Sequence, residues 1–204
     1  MMSEEQKEKW IKDTALFYFR IFSATYEEEF HKTLLNGGGG NSSLCAAWYK
    51  LSAVFVKKRV SGKALEILID KEVKYRQDGN VVFLLKKEID TDRHDLFYSN
   101  KKGAENRIAD GKYLHFDHHP SNKMILQLMN FKIKHYVSNG IDQETATINL
   151  SEFLKTIQTE DLITVEQDDV RTSADRGELQ NRDDREALLD DDWYELKIVK
   201  KFKN

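Results

Sequence analysis

The stretch Tyr113-Leu-His-Phe-Asp-His-His-Pro-Ser-Asn122 decides how this chain is read. It sets one Asp among three histidines and contains the only proline of the sequence. Lys112–Asp117 alternates polar and apolar residues, which predicts a strand, and Pro120 ends it because proline cannot donate to a ladder. From Met124 to Tyr136 the apolar residues Ile125, Leu128, Met129 and Ile133 recur at helical spacing, and Ser138-Asn-Gly140 stops that helix. A strand, a His-rich turn and a helix are therefore expected in succession.

Side chains alternate along a strand, so His115 and Asp117 share one face and Leu114 and Phe116 the other. A turn beginning at His118 brings its ring to the side of Asp117. The helix that follows carries Asn130, Lys134 and His135. Carboxylate and imidazole suit a divalent metal, and a neutral imidazole can take a proton from water near neutral pH. Five of the six histidines lie between His94 and His135, which concentrates the expected chemistry there.

The flanking segments suggest mostly helix. Residues 4–35 read as one long helix or two abutting ones, with Trp10, Ala15, Phe17, Phe19, Ile21, Phe22, Tyr26 and Phe30 on an apolar face. Asn36-Gly-Gly-Gly-Gly-Asn41 ends it; with no preceding strand and no Gly-Lys-Ser/Thr, it is a flexible turn rather than a phosphate loop. Ser42 or Ser43 caps a second helix through Val56, and Val60-Ser-Gly62 breaks that helix near Lys57-Lys58-Arg59. Ala64–Ile69 and Val81–Leu85, separated by Gln77-Asp-Gly-Asn80, read as a hairpin. Leu150–Leu154 opens a helix, Thr164-Val-Glu-Gln167 resembles a capping box for another, and Trp193–Val199 reads as a last strand.

The expected fold is thus α+β, mainly helical, with a short hairpin and a strand–turn–helix module. It comprises an N-terminal helical region (1–62), a central module (63–140) and an acidic helical region (141–204), together forming one compact domain. No apolar run approaches the roughly 20 residues that span a bilayer, and the opening residues lack a secretion signal, so a cytoplasmic location is expected. Cys45, the single cysteine, excludes an intrachain disulfide and reads as a buried, inert thiol.

The net charge of −3 hides a basic middle and an acidic end. Arg93–Lys134 carries eight Lys/Arg against four Asp/Glu, whereas Asp142–Glu195 carries seventeen Asp/Glu against five Lys/Arg. Lys101, Lys102, Arg107, Lys112 and Lys134 are candidate phosphate contacts, which points to a polyanionic partner such as DNA. The acidic end allows a rival expectation: a non-enzymatic regulator that imitates a nucleic-acid backbone. Such charge runs are more often solvated helix faces. Glu72-Val-Lys74 has the Glu-x-Lys form of restriction-type enzymes but lacks an acidic partner on an earlier strand.

Asp117-His118 followed by Pro120 resembles the signature of the HNH, or ββα-metal, nucleases. That resemblance implies that Asp117 holds the metal and His118 is the general base. His135 or Asn139 would complete the ligands, with Asn130 a further possibility and Asn122 standing for the turn-stabilising Asn. His115 and His119 are second-tier candidates. Asn122 follows His118 at a shorter spacing than usual, and the Cys pairs of many members are absent. Asp117-His118-His119-Pro-Ser-Asn122 also resembles the DHH phosphoesterases, which implies two metals and small oligonucleotide or cyclic dinucleotide substrates. The upstream His…Asp-x-Asp motif of that family is missing. The expectation is a nuclease using one Mg²⁺ or Mn²⁺ ion, acting on DNA in a restriction or mobile-element setting, possible as a homodimer.

Overall fold

The computed structural model describes residues 2–24, 43–89, 96–97, 108, 110–175 and 191–202. Among them are six α-helices and six strands, so the chain is α+β, but the strands form one six-stranded mixed sheet rather than a short hairpin and a separate strand–turn–helix module. The helices are α1 (Glu4–Ala24), α2 (Ser43–Ser52), α3 (Gly62–Asp70), α4 (Asn122–Ser138), α5 (Gln143–Thr156) and α6 (Val165–Asp175). The strands are β1 (Lys57–Ser61), β2 (Tyr75–Asp78), β3 (Val81–Leu85), β4 (Leu114–His119), β5 (Thr159–Thr164) and β6 (Trp193–Val199), in the sheet order β2-β3-β6-β1-β5-β4. No helix among the described residues is long and apolar enough to cross a membrane.

The chain forms two compact units that interleave and cut across the three consecutive segments expected. One comprises Met1–Val56 and His118–Thr159, the other Lys57–Asp117 and Glu160–Asn204. The boundary falls inside β4, between Asp117 and His118.

The first unit is helical. Ile11, Ala15, Tyr18, Phe19 and Phe22 of α1 recur three and four apart and are buried with Trp48 of α2, Ile125, Met129 and Ile133 of α4, and Leu150 and Leu154 of α5. Ser121 caps α4 by accepting from the Met124 amide, and Asp142 caps α5 by accepting from that of Thr145. Buried Gln158 ties the unit together. Its Oε1 accepts from Trp48 Nε1 at 2.8 Å, while its Nε2 donates to the Pro120 carbonyl and to Asn122 Oδ1, both at 2.8 Å.

The second unit is built on the sheet, whose two faces differ in chemistry. In the pairing of β1 with β6, Val60 faces Tyr194, while Ser61 faces Trp193 and Arg59 faces Glu195. Val60, Val82, Leu84, Leu114, Leu162 and Leu196 form the apolar face, buried with Ala64, Leu65 and Leu68 of α3. Arg59, Ser61, His115, Asp117, Asp161 and Trp193 lie at the alternate positions.

Three segments depart from expectation. Ala64–Ile69 is helical, not the first strand of the hairpin: Ser61 Oγ accepts from the Ala64 amide at 3.1 Å, and Ile69 is 54% exposed where strand alternation would have buried it. The hairpin pairs β2 with β3 around Gly79-Asn80, with Gly79 at a φ of +55° as tight hairpin turns require. Lys57–Ser61 is a strand, not the end of a helix, and β5 was not anticipated. The long first helix is described through Ala24 only. The tetraglycine, His31 and His94 lie outside the described residues, as does the acidic run 176–190.

Candidate metal centre

The polar face of the second unit is covered by α6. Thr164 and Gln167 form a reciprocal capping box: the Thr164 amide donates to Gln167 Oε1 at 3.0 Å and the Gln167 amide to Thr164 Oγ1 at 3.2 Å. Ser61 Oγ also donates to Gln167 Oε1, at 2.8 Å, which anchors the start of the helix to β1. From that start, Asp168 and Arg171 sit three residues apart on one helix face and reach the sheet side by side.

Three metal-capable side chains meet there. His115, Asp117 and Asp168 each place one ligand atom within 4.8 Å of the others, and His115 Nε2 lies 4.0 Å from Asp168 Oδ1. Ligand atoms bound to one ion at roughly 2.0–2.2 Å lie up to about 4.4 Å apart, so the group stands near ligand spacing. One imidazole and two carboxylates suit Mg²⁺, Mn²⁺ or a later divalent ion. The donor set fits.

Beside this group runs a chain of charges, two of which, Asp161 and Arg171, are buried. Arg171 Nη1 donates to Asp117 Oδ2 at 2.9 Å and Nη2 to Asp161 Oδ2 at 2.8 Å. Arg59 forks onto the same Asp161 through Nε at 2.8 Å and Nη2 at 2.7 Å. Both guanidiniums lie near the Trp193 ring, Arg59 at 4.3 Å and Arg171 at 5.5 Å from its centroid. Burial pushes the Asp161 carboxyl up, but the hydrogen bonds and charges of Arg59 and Arg171 outweigh it and hold the group below its ordinary range.

Of the expected ligands, Asp117 is in the group and His115 joins it. Asp168 was not foreseen. His118 opens the second segment of the helical unit, and its ring lies 5.3 Å from that of Tyr49. Strand geometry persists through His119, so the turn at His118 that would bring its ring beside Asp117 does not occur. His119 is exposed, and its carbonyl accepts from Thr159 Oγ1 at 3.4 Å. His135 and Asn139 lie at the C-terminal end of α4, where Asn139 Nδ2 donates to the His135 carbonyl at 2.7 Å. They act there as a helix cap. Asn122 begins α4 and its Oδ1 accepts from Gln158, while the buried Oδ1 of Asn130 has no hydrogen-bond partner among the described residues. Lys134 is exposed on α4 and Lys112 half-buried before β4; Lys101, Lys102 and Arg107 lie outside the described residues.

In comparisons with known proteins, no family model, no curated protein and no solved structure matches the chain.

Proposed function

We propose that the chain is a divalent-metal-dependent phosphodiesterase acting on nucleic acid, with His115, Asp117 and Asp168 as the metal ligands. The convergence of these three side chains on one sheet face carries the reading. A bound divalent ion supplies electrostatic stabilisation of the charge that develops on a phosphoryl oxygen. The protein's part is to fix two carboxylates and an imidazole around one point and to hold Asp117 in place through Arg171. The basic middle of the chain favours a polyanionic substrate.

This reading keeps Asp117 from the HNH resemblance and replaces the rest of its ligand set. It gives His118 no catalytic task. The test is cleavage of supercoiled plasmid by the full chain with Mn²⁺, comparing wild type, Asp168→Asn and His118→Ala. Asp168→Asn should lose at least a hundredfold in rate, and His118→Ala should stay within a fewfold. The reverse pattern would restore the HNH assignment. Cleavage of a dinucleotide but not of plasmid would favour the DHH-like substrate class, and no cleavage of either with any divalent metal would remove the enzyme reading.

A further inference from the structure

Arg171 is the side chain that joins the candidate metal group to the charges beside it. It is 6% exposed and forks between two carboxylates from different strands, Asp117 of β4 and Asp161 of β5. Its Nε is buried and has no hydrogen-bond partner among the described residues. A guanidinium normally uses its donors when buried, because an unmet one costs free energy. Here the two Nη bonds set the plane of the group, and Nε is left over. The arrangement favours bridging the carboxylates above satisfying every donor.

A cation bridging two carboxylates is also what a second metal ion does in a two-metal phosphodiesterase site. The guanidinium already fills that place, spanning Asp117 Oδ2 at 2.9 Å and Asp161 Oδ2 at 2.8 Å.

We infer that Arg171 is a positioning residue that serves as a fixed second cation: it holds Asp117 through Oδ2, and the site takes one exchangeable divalent ion. This rests on the reading of His115, Asp117 and Asp168 as metal ligands. Partners that orient a ligand typically change metal affinity about 10- to 100-fold when replaced. Lysine keeps the charge of Arg171 but cannot fork between two carboxylates.

The test is a Mn²⁺ titration of the full chain, with free Mn²⁺ followed by electron paramagnetic resonance. Wild type should bind one ion per chain, and Asp168→Asn should abolish that binding. Arg171→Lys should weaken binding about 10- to 100-fold while its near-ultraviolet circular dichroism stays native. Two ions per wild-type chain, or unchanged affinity in Arg171→Lys, would overturn the role of Arg171 while leaving the metal reading in place. No bound ion, or one indifferent to Asp168→Asn, would overturn both. Should Arg171→Lys fail to fold, the wild-type count still decides.

Discussion

Replacing Asp161 by alanine should be the most damaging single change in the sheet unit. Its carboxylate is fully buried and accepts three charged hydrogen bonds of 2.7–2.8 Å, two from Arg59 and one from Arg171. Removing it leaves two guanidiniums facing each other without their shared counter-charge, and Arg171 is itself buried. Breaking a buried ion pair from one side costs about 3–5 kcal/mol. At roughly 2–4 °C per kcal/mol for a chain of this size, the melting temperature should fall by about 6–20 °C. Urea unfolding gives the free energy. Hydrogen exchange read by mass spectrometry then locates the loss, with protection falling in peptides covering β1, β5 and α6 and holding in α1 and α5. A loss below about 1 kcal/mol, or one spread evenly over both units, would refute the claim that this network holds the sheet unit together.

The same residue sets an acid limit. Its carboxyl is held below the ordinary value of 3.8 in the folded state, so its stabilisation is complete above that value. It is lost as pH falls through the lower folded value. Between pH 5 and 2 the stability of wild type should therefore drop more steeply than that of Asp161→Ala. Parallel acid profiles would contradict this.

Two further substitutions probe contacts outside this network. A Cβ on Gly62 would sit 2.6 Å from Asp191 Oδ1, the carboxylate whose Oδ2 accepts from the Lys63 amide at 3.1 Å and from Gln167 Nε2 at 2.9 Å. Gly62→Ala should therefore cost up to about 1 kcal/mol by displacing Asp191, since hydrogen bonds to a charged group are worth about 1.5–3 kcal/mol and alanine returns part in helix propensity. In an Asp191→Ala background the same change should turn stabilising by about 0.5–1 kcal/mol, and urea melts of the four proteins in the cycle check the sign reversal. In the helical unit, Gln158→Leu strands the buried Trp48 Nε1 and the Pro120 carbonyl. It should cost about 2–4 kcal/mol by thermal unfolding; a cost under 1 kcal/mol would mean that the network carries little.

The elements legible in the sequence were those whose local signals agreed with one another. Alternation together with Pro120 marked β4. Apolar spacing and Ser138-Asn-Gly140 marked α4, and Thr164 with Gln167 marked the start of α6. The Ala64–Ile69 run was ambiguous because Leu65, Ile67 and Ile69 also fit a strand. Only the cap from Ser61 and the burial of Ala64, Leu65 and Leu68 on one side make it helix. β1 was hidden by its own charge: Lys57-Lys58-Arg59 looks like a solvated helix end. In the fold, Lys58 pairs with Glu160 and Arg59 with Asp161, so two basic residues are accommodated in a central strand by two acidic ones from β5.

Part of the candidate site is hidden in the same way. His115 and Asp117 were legible because they sit two apart on a strand. Asp168 and Arg171 were absorbed into an acidic C-terminal average, where a charge run reads as a wet surface. Yet Asp161 stands inside Thr159-Glu-Asp-Leu-Ile-Thr164, a segment with β-branched ends and two aliphatic residues. A carboxylate in such a strand needs a cationic partner, and Arg171 lies on the helix that the capping box begins. Capping box, strand-borne Asp and helical Asp-x-x-Arg together place those charges at one sheet face, where desolvation makes each depend on its partner. The His-rich stretch stands out by composition, but the strand continues through His119 and His118 belongs to the helical unit. What selects the site is therefore which charges the fold buries together. The HNH resemblance named one of the three candidate ligands, Asp117, as the metal holder, and His115 stood in the second rank.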